Sequence, residues 1–317
     1  MKLQKEIKFE GEDAMGLDIN HERMIATHFV RTSQGLILDQ LAIEEIAPDS
    51  PDRLVSQQIR NLWKRRKFPT HTVCTSLHSH SKIVRHFSYN NLTPEELPHV
   101  LSLEAEETLQ LPPDQVVAEW VLNDRETNKS NATGKEISGV LVAAPRSQVQ
   151  QHISLLREGG VYPVNMEVSY SALVNLYQFM TPEAEQPSTC LISLSERTAD
   201  IVMLADGKIY PRTLFSVKDG WAGNLGYLLE NIKDALLYYH LKIGQEPIQK
   251  ILLAGQMPDL PTVGDRLAES TSMPVNVMDY LSDPRLAPVV QKEFSGISSN
   301  VNLAIGLGLG LRMPKNG

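Results

Sequence analysis

The sequence predicts an α/β fold made of two lobes that repeat one plan. Each half of the 317-residue chain opens with three short apolar runs separated by turn residues, which is typical of a strand meander. Each half then continues into segments with helical apolar spacing and into further apolar strands. A stretch from Thr181 to Ser188, rich in proline and glutamate, separates the halves. We therefore expect one lobe at 1–185 and a second at 186–317.

The first lobe is predicted from its apolar periodicity and its turn residues. Apolar or alternating runs indicate strands at 14–20, 24–30, 36–43, 73–77, 82–89, 111–122, 137–144 and 161–168. Helical spacing indicates helices at 50–63, 93–109, 147–158 and 169–180. Pro51 and Pro94 fit early helical positions, and Gly159-Gly160 fits a helix end. The polar segment from Asn123 to Glu136 is predicted to be a hairpin loop.

The second lobe restarts the same pattern after the boundary. Strands are predicted at 190–194, 199–204, 208–215, 248–254 and 274–278, with Asp206-Gly207 as a hairpin turn. Helices are predicted at 221–241, 260–270 and 301–311. The two halves therefore share an order of meander, helix and buried strand.

Composition excludes several classes of protein. The net charge of −8 argues against generic nucleic-acid binding, and the basic run Lys64 to Lys67 suits the C-terminal turn of a helix. The polar N-terminus and the lack of a long apolar stretch predict a cytoplasmic protein without an anchor of its own. Cys74, His78 and His80 share one strand face, but ligands in a line do not surround zinc, so no metal site is predicted.

Three local sequences resemble the nucleotide motifs of actin, Hsp70 and the sugar kinases. Gly16-Leu-Asp-Ile-Asn20 resembles the first phosphate motif, and Leu191-Ile-Ser-Leu-Ser195 lies where the second belongs. Ile251-Leu-Leu-Ala-Gly255 resembles the adenosine motif. The resemblance implies a two-lobed actin-like fold, built from duplicated ribonuclease-H-like units, with a nucleotide cleft between the lobes.

Longer segments resemble the type IV pilus assembly protein PilM over nearly the whole chain. The matching segments are Leu101 to Glu107, Leu111 to Trp120, Val140 to Arg146, Leu155 to Pro163, Val168 to Leu173 and Ala304 to Gly310. The resemblance implies an inserted small subdomain at about 91–163, as in the division protein FtsA. It also implies a cytoplasmic scaffold of a type IV pilus or type II secretion machine that binds the N-terminal cytoplasmic tail of the inner-membrane protein PilN. Self-association into rings or filaments is a further implication.

The candidate nucleotide cleft departs from the family pattern. Its residues are Asp18, Asn20, Ser193, Ser195, Gly255 and Gln256. Asn20 stands where a phosphate turn expects glycine, and Ser193 stands where an acid would hold Mg²⁺. We therefore expect either no cofactor or weakly bound ATP and Mg²⁺, lost or weakened ATPase activity and no catalytic residue; an ATP-dependent switch is the alternative.

For several single residues a purely structural role stays open beside the functional one. Asp18 would equally cap a turn or pair with a base across the cleft, and Gly255 would equally serve helix packing. Trp120 and Val121 are candidate partner-binding residues, although they would also pack under the acidic helix from Pro94 to Leu109. That helix is either a solvated face or a docking surface for a basic tail.

Overall fold

The structure is a computed structural model that describes residues 15–33, 35–78, 82–123, 136–181, 187–195, 197–205, 207–216, 220–221, 223–243, 246–255, 260–294 and 301–312. The strands are β1 (Met15–Ile19), β2 (Arg23–Thr32), β3 (Gly35–Glu45), β4 (Thr72–Ser76), β5 (Ile83–Asn90), β6 (Val116–Leu122), β7 (Glu136–Pro145), β8 (Tyr162–Glu167), β9 (Thr189–Leu194), β10 (Thr198–Ala205), β11 (Lys208–Phe215), β12 (Lys250–Gly255) and β13 (Val275–Val277). The helices are α1 (Asp52–Arg66), α2 (Leu97–Leu109), α3 (Arg146–Glu158), α4 (Ser169–Met180), α5 (Leu225–Lys242), α6 (Leu260–Thr271), α7 (Ala287–Phe294) and α8 (Ala304–Gly310).

Two five-stranded sheets repeat one plan, as the sequence predicted. Their strand orders are β3-β2-β1-β4-β8 and β11-β10-β9-β12-β13. In each sheet the central strand, β1 or β9, is antiparallel to the next strand of the meander and parallel to a later strand, β4 or β12. The predicted α/β class and the internal duplication are therefore confirmed. The predicted loop after Asn123 and most of the predicted lobe boundary lie outside the described residues.

A third sheet, of order β5-β7-β6, packs one face on α2. Its residues run from 83 to 145, whereas the predicted inserted subdomain spans 91–163. The bounds differ because β5 pairs with β7, while α3 packs on α1 and β8 pairs with β4 of the first sheet. Long-range pairing, which has no local sequence signal, decides these bounds. The assignment of whole domains stays a prediction.

The end of the chain returns to the first sheet. Helix α8 packs against α4, β1 and β2, although its residues fall within the predicted second lobe. Three glycines make this contact possible, because a methyl group on Gly306 would lie 2.6 Å from Ile25 Cγ2. Methyl groups on Gly308 and Gly310 would meet Ala172 and Thr27. The core around α4 and α8 takes buried residues from both large sheets and so joins the lobes.

Helix α7 was not predicted. It packs along β3, and Arg66 of α1 forms a two-armed ion pair with Glu293 of α7. Just before the helix, the Arg285 carbonyl accepts a hydrogen bond from the Leu38 amide of β3 at 3.0 Å. The helix has eight residues, so its apolar pattern is too short to stand out from the surrounding polar sequence. Among the described helices, none combines the length and apolarity needed to span a bilayer.

Replacing Arg312 with alanine is expected to destabilise the fold by about 3 kcal/mol, because it leaves a buried carboxylate without its cation. Glu167 is buried, accepts hydrogen bonds from Ser171 Oγ and Asn165 Nδ2, and pairs with the Arg312 guanidinium. Urea unfolding of Arg312→Ala and of Arg157→Ala, an exposed arginine of α3, measures the difference. Adding Glu167→Gln to Arg312→Ala should recover part of the loss. Equal stability of the two arginine variants would contradict the pairing.

Candidate functional site

A polar cleft of about 420 Å³ lies where the two meanders face each other. Its lining includes Asp18 and Asn20 from the end of β1, and Ser193 and Ser195 from the end of β9. The ends of the two central strands thus meet across the lobes, as duplication of one plan requires. Four of the six predicted cleft residues are brought together in this way.

Asp18 is buried and held by two groups of the same chain. Its Oδ1 accepts hydrogen bonds from Ser76 Oγ at 2.6 Å and from His78 Nε2 at 2.6 Å. Burial alone would raise the pKa of Asp18, but the positive charge of His78 and these hydrogen bonds outweigh it and hold the pKa below its usual value. The carboxylate is therefore ionised and paired with a base of its own lobe, not with a base across the cleft.

The side chain of Asn20 bonds to the backbone of its own turn, between β1 and β2. Its Oδ1 accepts hydrogen bonds from the backbone N–H groups of Glu22 at 2.9 Å and of Arg23 at 3.0 Å. A glycine at this position would have no side chain to bind these donors. The asparagine therefore takes the backbone groups that a phosphate turn presents to its ligand.

The second turn repeats this arrangement in the other lobe. Ser195 Oγ accepts a hydrogen bond from the Thr198 amide at 3.2 Å, and Ser195 N–H donates to the Thr198 carbonyl at 2.9 Å. Ser193 Oγ accepts a hydrogen bond from Asn302 Nδ2 at 2.8 Å. Each turn thus has a side chain of its own that accepts from its backbone, and Asn302 also contacts the second motif.

Gly255 is not among the described residues that line the cleft. Gly255 ends β12, where a methyl group would come 2.9 Å from Leu194 Cβ, so packing of β12 on β9 explains the glycine. Gln256 lies outside the described residues. Among the described residues there is no group of three His, Cys, Asp or Glu side chains arranged for a metal ion.

The cleft residues that sequence reasoning missed include His78, Lys82, Asp200 and Asn302. His78 and Lys82 follow β4, whose pairing with β1 brings them to Asp18. Asp200 lies directly opposite Ser193 in the ladder of β9 and β10, and its Oδ1 accepts a hydrogen bond from Thr213 Oγ1 at 2.7 Å. The one available signal was the position of Asp200 in the predicted strand after the second motif.

The candidate partner-binding residues lie elsewhere, on β6 of the three-stranded sheet. Trp120 packs against the cluster under α2, as its structural interpretation held. Val121 points to the opposite face of the sheet and is 66% exposed. The neighbouring Leu122 is 40% exposed. This end of β6 therefore offers apolar side chains to solvent.

Replacing His78 with alanine is expected to destabilise the protein by about 2 kcal/mol at pH 7, because Asp18 stays buried without its partner. In the wild type the pKa of Asp18 is lowered, so its stabilising effect is present at neutral pH and is lost as pH falls through that value. In the variant, burial would raise this pKa, so the deficit should shrink between pH 7 and pH 5. Urea unfolding at both pH values measures this, with His99→Ala, an exposed histidine of α2, as control. A deficit that does not change with pH would contradict it.

Comparison with known proteins agrees with this architecture. The family model of the type IV pilus assembly protein PilM matches residues 16–215. The structure of a PilM–PilN type IV pilus biogenesis complex is similar at a TM-score of 0.79 and 17% identity, covering 96% of this chain and 99% of that one. No curated protein sequence matches significantly.

Two more distant structures share the fold at a TM-score of 0.51. A Bacteroides thetaiotaomicron protein of unknown function with an actin-like ATPase fold is 11% identical and covers 92% of this chain and 98% of that one. The ethanolamine utilization protein EutJ from Carboxydothermus hydrogenoformans is 10% identical and covers 96% and 91%. The fold is therefore actin-like. Because the PilM model spans more than half of the sequence, the chain belongs to the family of the type IV pilus assembly protein PilM.

Proposed function

We propose that this chain is a scaffold of a type IV pilus machine, or of a related type II secretion machine, that binds the cytoplasmic N-terminal tail of a PilN-like inner-membrane protein. Membership of the PilM family and the likeness to a PilM–PilN complex support the partner. The tail would hold the chain at the inner membrane from the cytoplasmic side. The observation that carries the proposal is the free edge of β6.

The hydrogen-bond pattern of β6 tells which backbone groups are free. Leu122 lies opposite Gly139 of β7, and the next amide, of Asn123, donates to the Ser138 carbonyl at 2.9 Å. In an antiparallel pair, alternate residues bond to the partner strand and the others point away. The backbone groups of Ala118, Trp120 and Leu122 therefore point outward, and no described residue pairs with them.

One end of this edge is closed. The carbonyl of Val116 points outward by the same alternation and accepts a hydrogen bond from Arg146 Nη2 at 3.1 Å. On the other side of the sheet, β5 and β7 contact β11, and the rings of His86 and Tyr210 are 4.8 Å apart. An extended tail would therefore add to β6 beside residues 118–122, with its side chains next to Val121 and Trp120.

Charge supports a basic partner. The segment from Asn91 to Asp114, which includes α2, contains five glutamates, one aspartate and no lysine or arginine. Four of these glutamates, Glu95, Glu96, Glu106 and Glu107, have no described ion pair, whereas Glu104 pairs with Arg85. Cytoplasmic segments next to a membrane helix carry an excess of lysine and arginine. Tail binding should therefore weaken as the salt concentration rises.

Lost or weakened ATPase activity is part of the proposal, since Ser193 replaces the acid expected in the second motif. One observation favours the alternative, an ATP-dependent switch: Asp200 places a carboxylate in the cleft opposite Ser193. Calorimetric titration of the whole chain with a synthetic tail peptide, and separately with Mg-ATP, tests both functions. Heat from the peptide but not from a scrambled peptide supports the scaffold, and its absence contradicts it.

A further inference from the structure

The cleft between the lobes has three features that a Mg-nucleotide needs: an acid for the cation, free backbone donors for phosphates, and an opening between the lobes. In this chain the acid and three of the backbone donors are already engaged by neighbouring groups. His78 and Ser76 bind the Asp18 carboxylate at 2.6 Å each, on the oxygen Oδ1. The His78 imidazole thus lies beside the Asp18 carboxylate, where Mg²⁺ would have to bind.

The phosphate donors are engaged in both lobes. Asn20 Oδ1 takes the amides of Glu22 and Arg23, and Ser195 Oγ takes the amide of Thr198. A phosphate could reach these amides only by displacing a side chain that is fixed in the same turn. The carboxylates of Glu22, Asp49 and Asp200 in the cleft lining would repel a polyphosphate, although Lys82 and Arg197 also line the cleft.

Asn302 joins the two lobes across the floor of the cleft. Its Oδ1 accepts a hydrogen bond from the Ala304 amide at 3.1 Å, at the start of α8, which packs on the first sheet. Its Nδ2 donates to Ser193 Oγ at 2.8 Å and to the Leu194 carbonyl at 3.2 Å, both on β9 of the second sheet. One amide therefore ties the start of α8 to β9.

We propose that the groups that would bind a Mg-nucleotide in this cleft are bound instead by the chain's own side chains. His78 acts as the counter-cation of Asp18, Asn20 and Ser195 occupy the phosphate donors, and Asn302 clasps the lobes. The lobes keep one arrangement without nucleotide, and the scaffold presents β6 in a constant position. Loss of nucleotide binding goes beyond loss of ATP hydrolysis. It does not depend on which protein is the partner of the scaffold.

The test compares the wild-type chain with a variant that lacks the side chains bonded to these ligand groups. Asn20→Gly, Ser195→Gly and His78→Ala together free three amides and remove the imidazole from the Asp18 carboxylate. Calorimetry with Mg-ATP and Mg-ADP is expected to show no binding by the wild type up to millimolar nucleotide. The variant is expected to bind with a Kd at least about tenfold below that millimolar limit. Micromolar binding by the wild type overturns the proposal.

The other outcomes are equally decisive. If a variant with a wild-type circular dichroism spectrum also binds nothing, self-occupation is not what excludes nucleotide and the proposal fails. If the loss of His78 unfolds the triple variant, the pair Asn20→Gly and Ser195→Gly, which leaves Asp18 paired, is judged by the same criterion. Titration with the tail peptide is a separate measurement, so failure of the proposed scaffold function would not be mistaken for failure here.

Discussion

Replacing Gly308 with alanine is expected to cost about 3 kcal/mol or more of folding free energy. A methyl group at this position would overlap the carbonyl oxygen of Ala172 in α4, and backbone atoms do not move aside easily. Every residue of α8 is buried, and the helix packs against α4 and the first sheet. Domains have only about 5–15 kcal/mol of stability, so this one methyl group would remove a large fraction of the folding free energy.

Thermal and urea unfolding of Gly308→Ala measure the effect. The matched control is Gly226→Ala, a glycine in the exposed first turn of α5 whose added methyl group meets no atom within 4 Å. There the same change should be neutral or stabilise by up to about 1 kcal/mol, because alanine is the better helix former. If both variants unfold at the same urea concentration, the close approach of α8 to α4 is wrong.

Replacing Ala118 with proline is expected to weaken binding of the tail peptide about tenfold or more while the protein stays folded. The amide of Ala118 points to the free edge of β6 and makes no bond to β7, so its loss leaves the ladder intact. Proline is tolerated on edge strands in this orientation. It removes a donor that an added strand needs, and its ring obstructs the approach of that strand.

Calorimetry with the tail peptide checks the affinity, and circular dichroism checks the fold. Ala118→Ser is the control, since it keeps the amide and adds one hydroxyl group. In cells that assemble pili, the proline variant should also fail to be recruited to the inner membrane. Unchanged affinity in a folded Ala118→Pro protein would rule out strand addition at β6 and leave the partner to bind another surface.

Most elements of the fold were predictable because their signals are local. The apolar runs of β2 and β3, the apolar spacing of α1 and α4, and the turn residues between the strands all act within a few positions. The start of α2 shows the limit of such signals. The helix was predicted to begin at 93, but it begins only at Leu97, after Thr93 and Glu96 have bonded to each other.

The amino-acid sequence by itself determined the α/β class, the repeat of one plan in two halves, and the positions of Asp18, Asn20, Ser193 and Ser195 at the ends of two central strands. Hydrophobic period and turn chemistry, which carry these features, are properties of neighbouring residues. The tertiary structure alone decided that His78 pairs with Asp18, that Asn302 reaches Ser193 across 109 positions, and that one edge of β6 stays open. These depend on which distant strands pair and on where the last helix packs, and no local pattern encodes either.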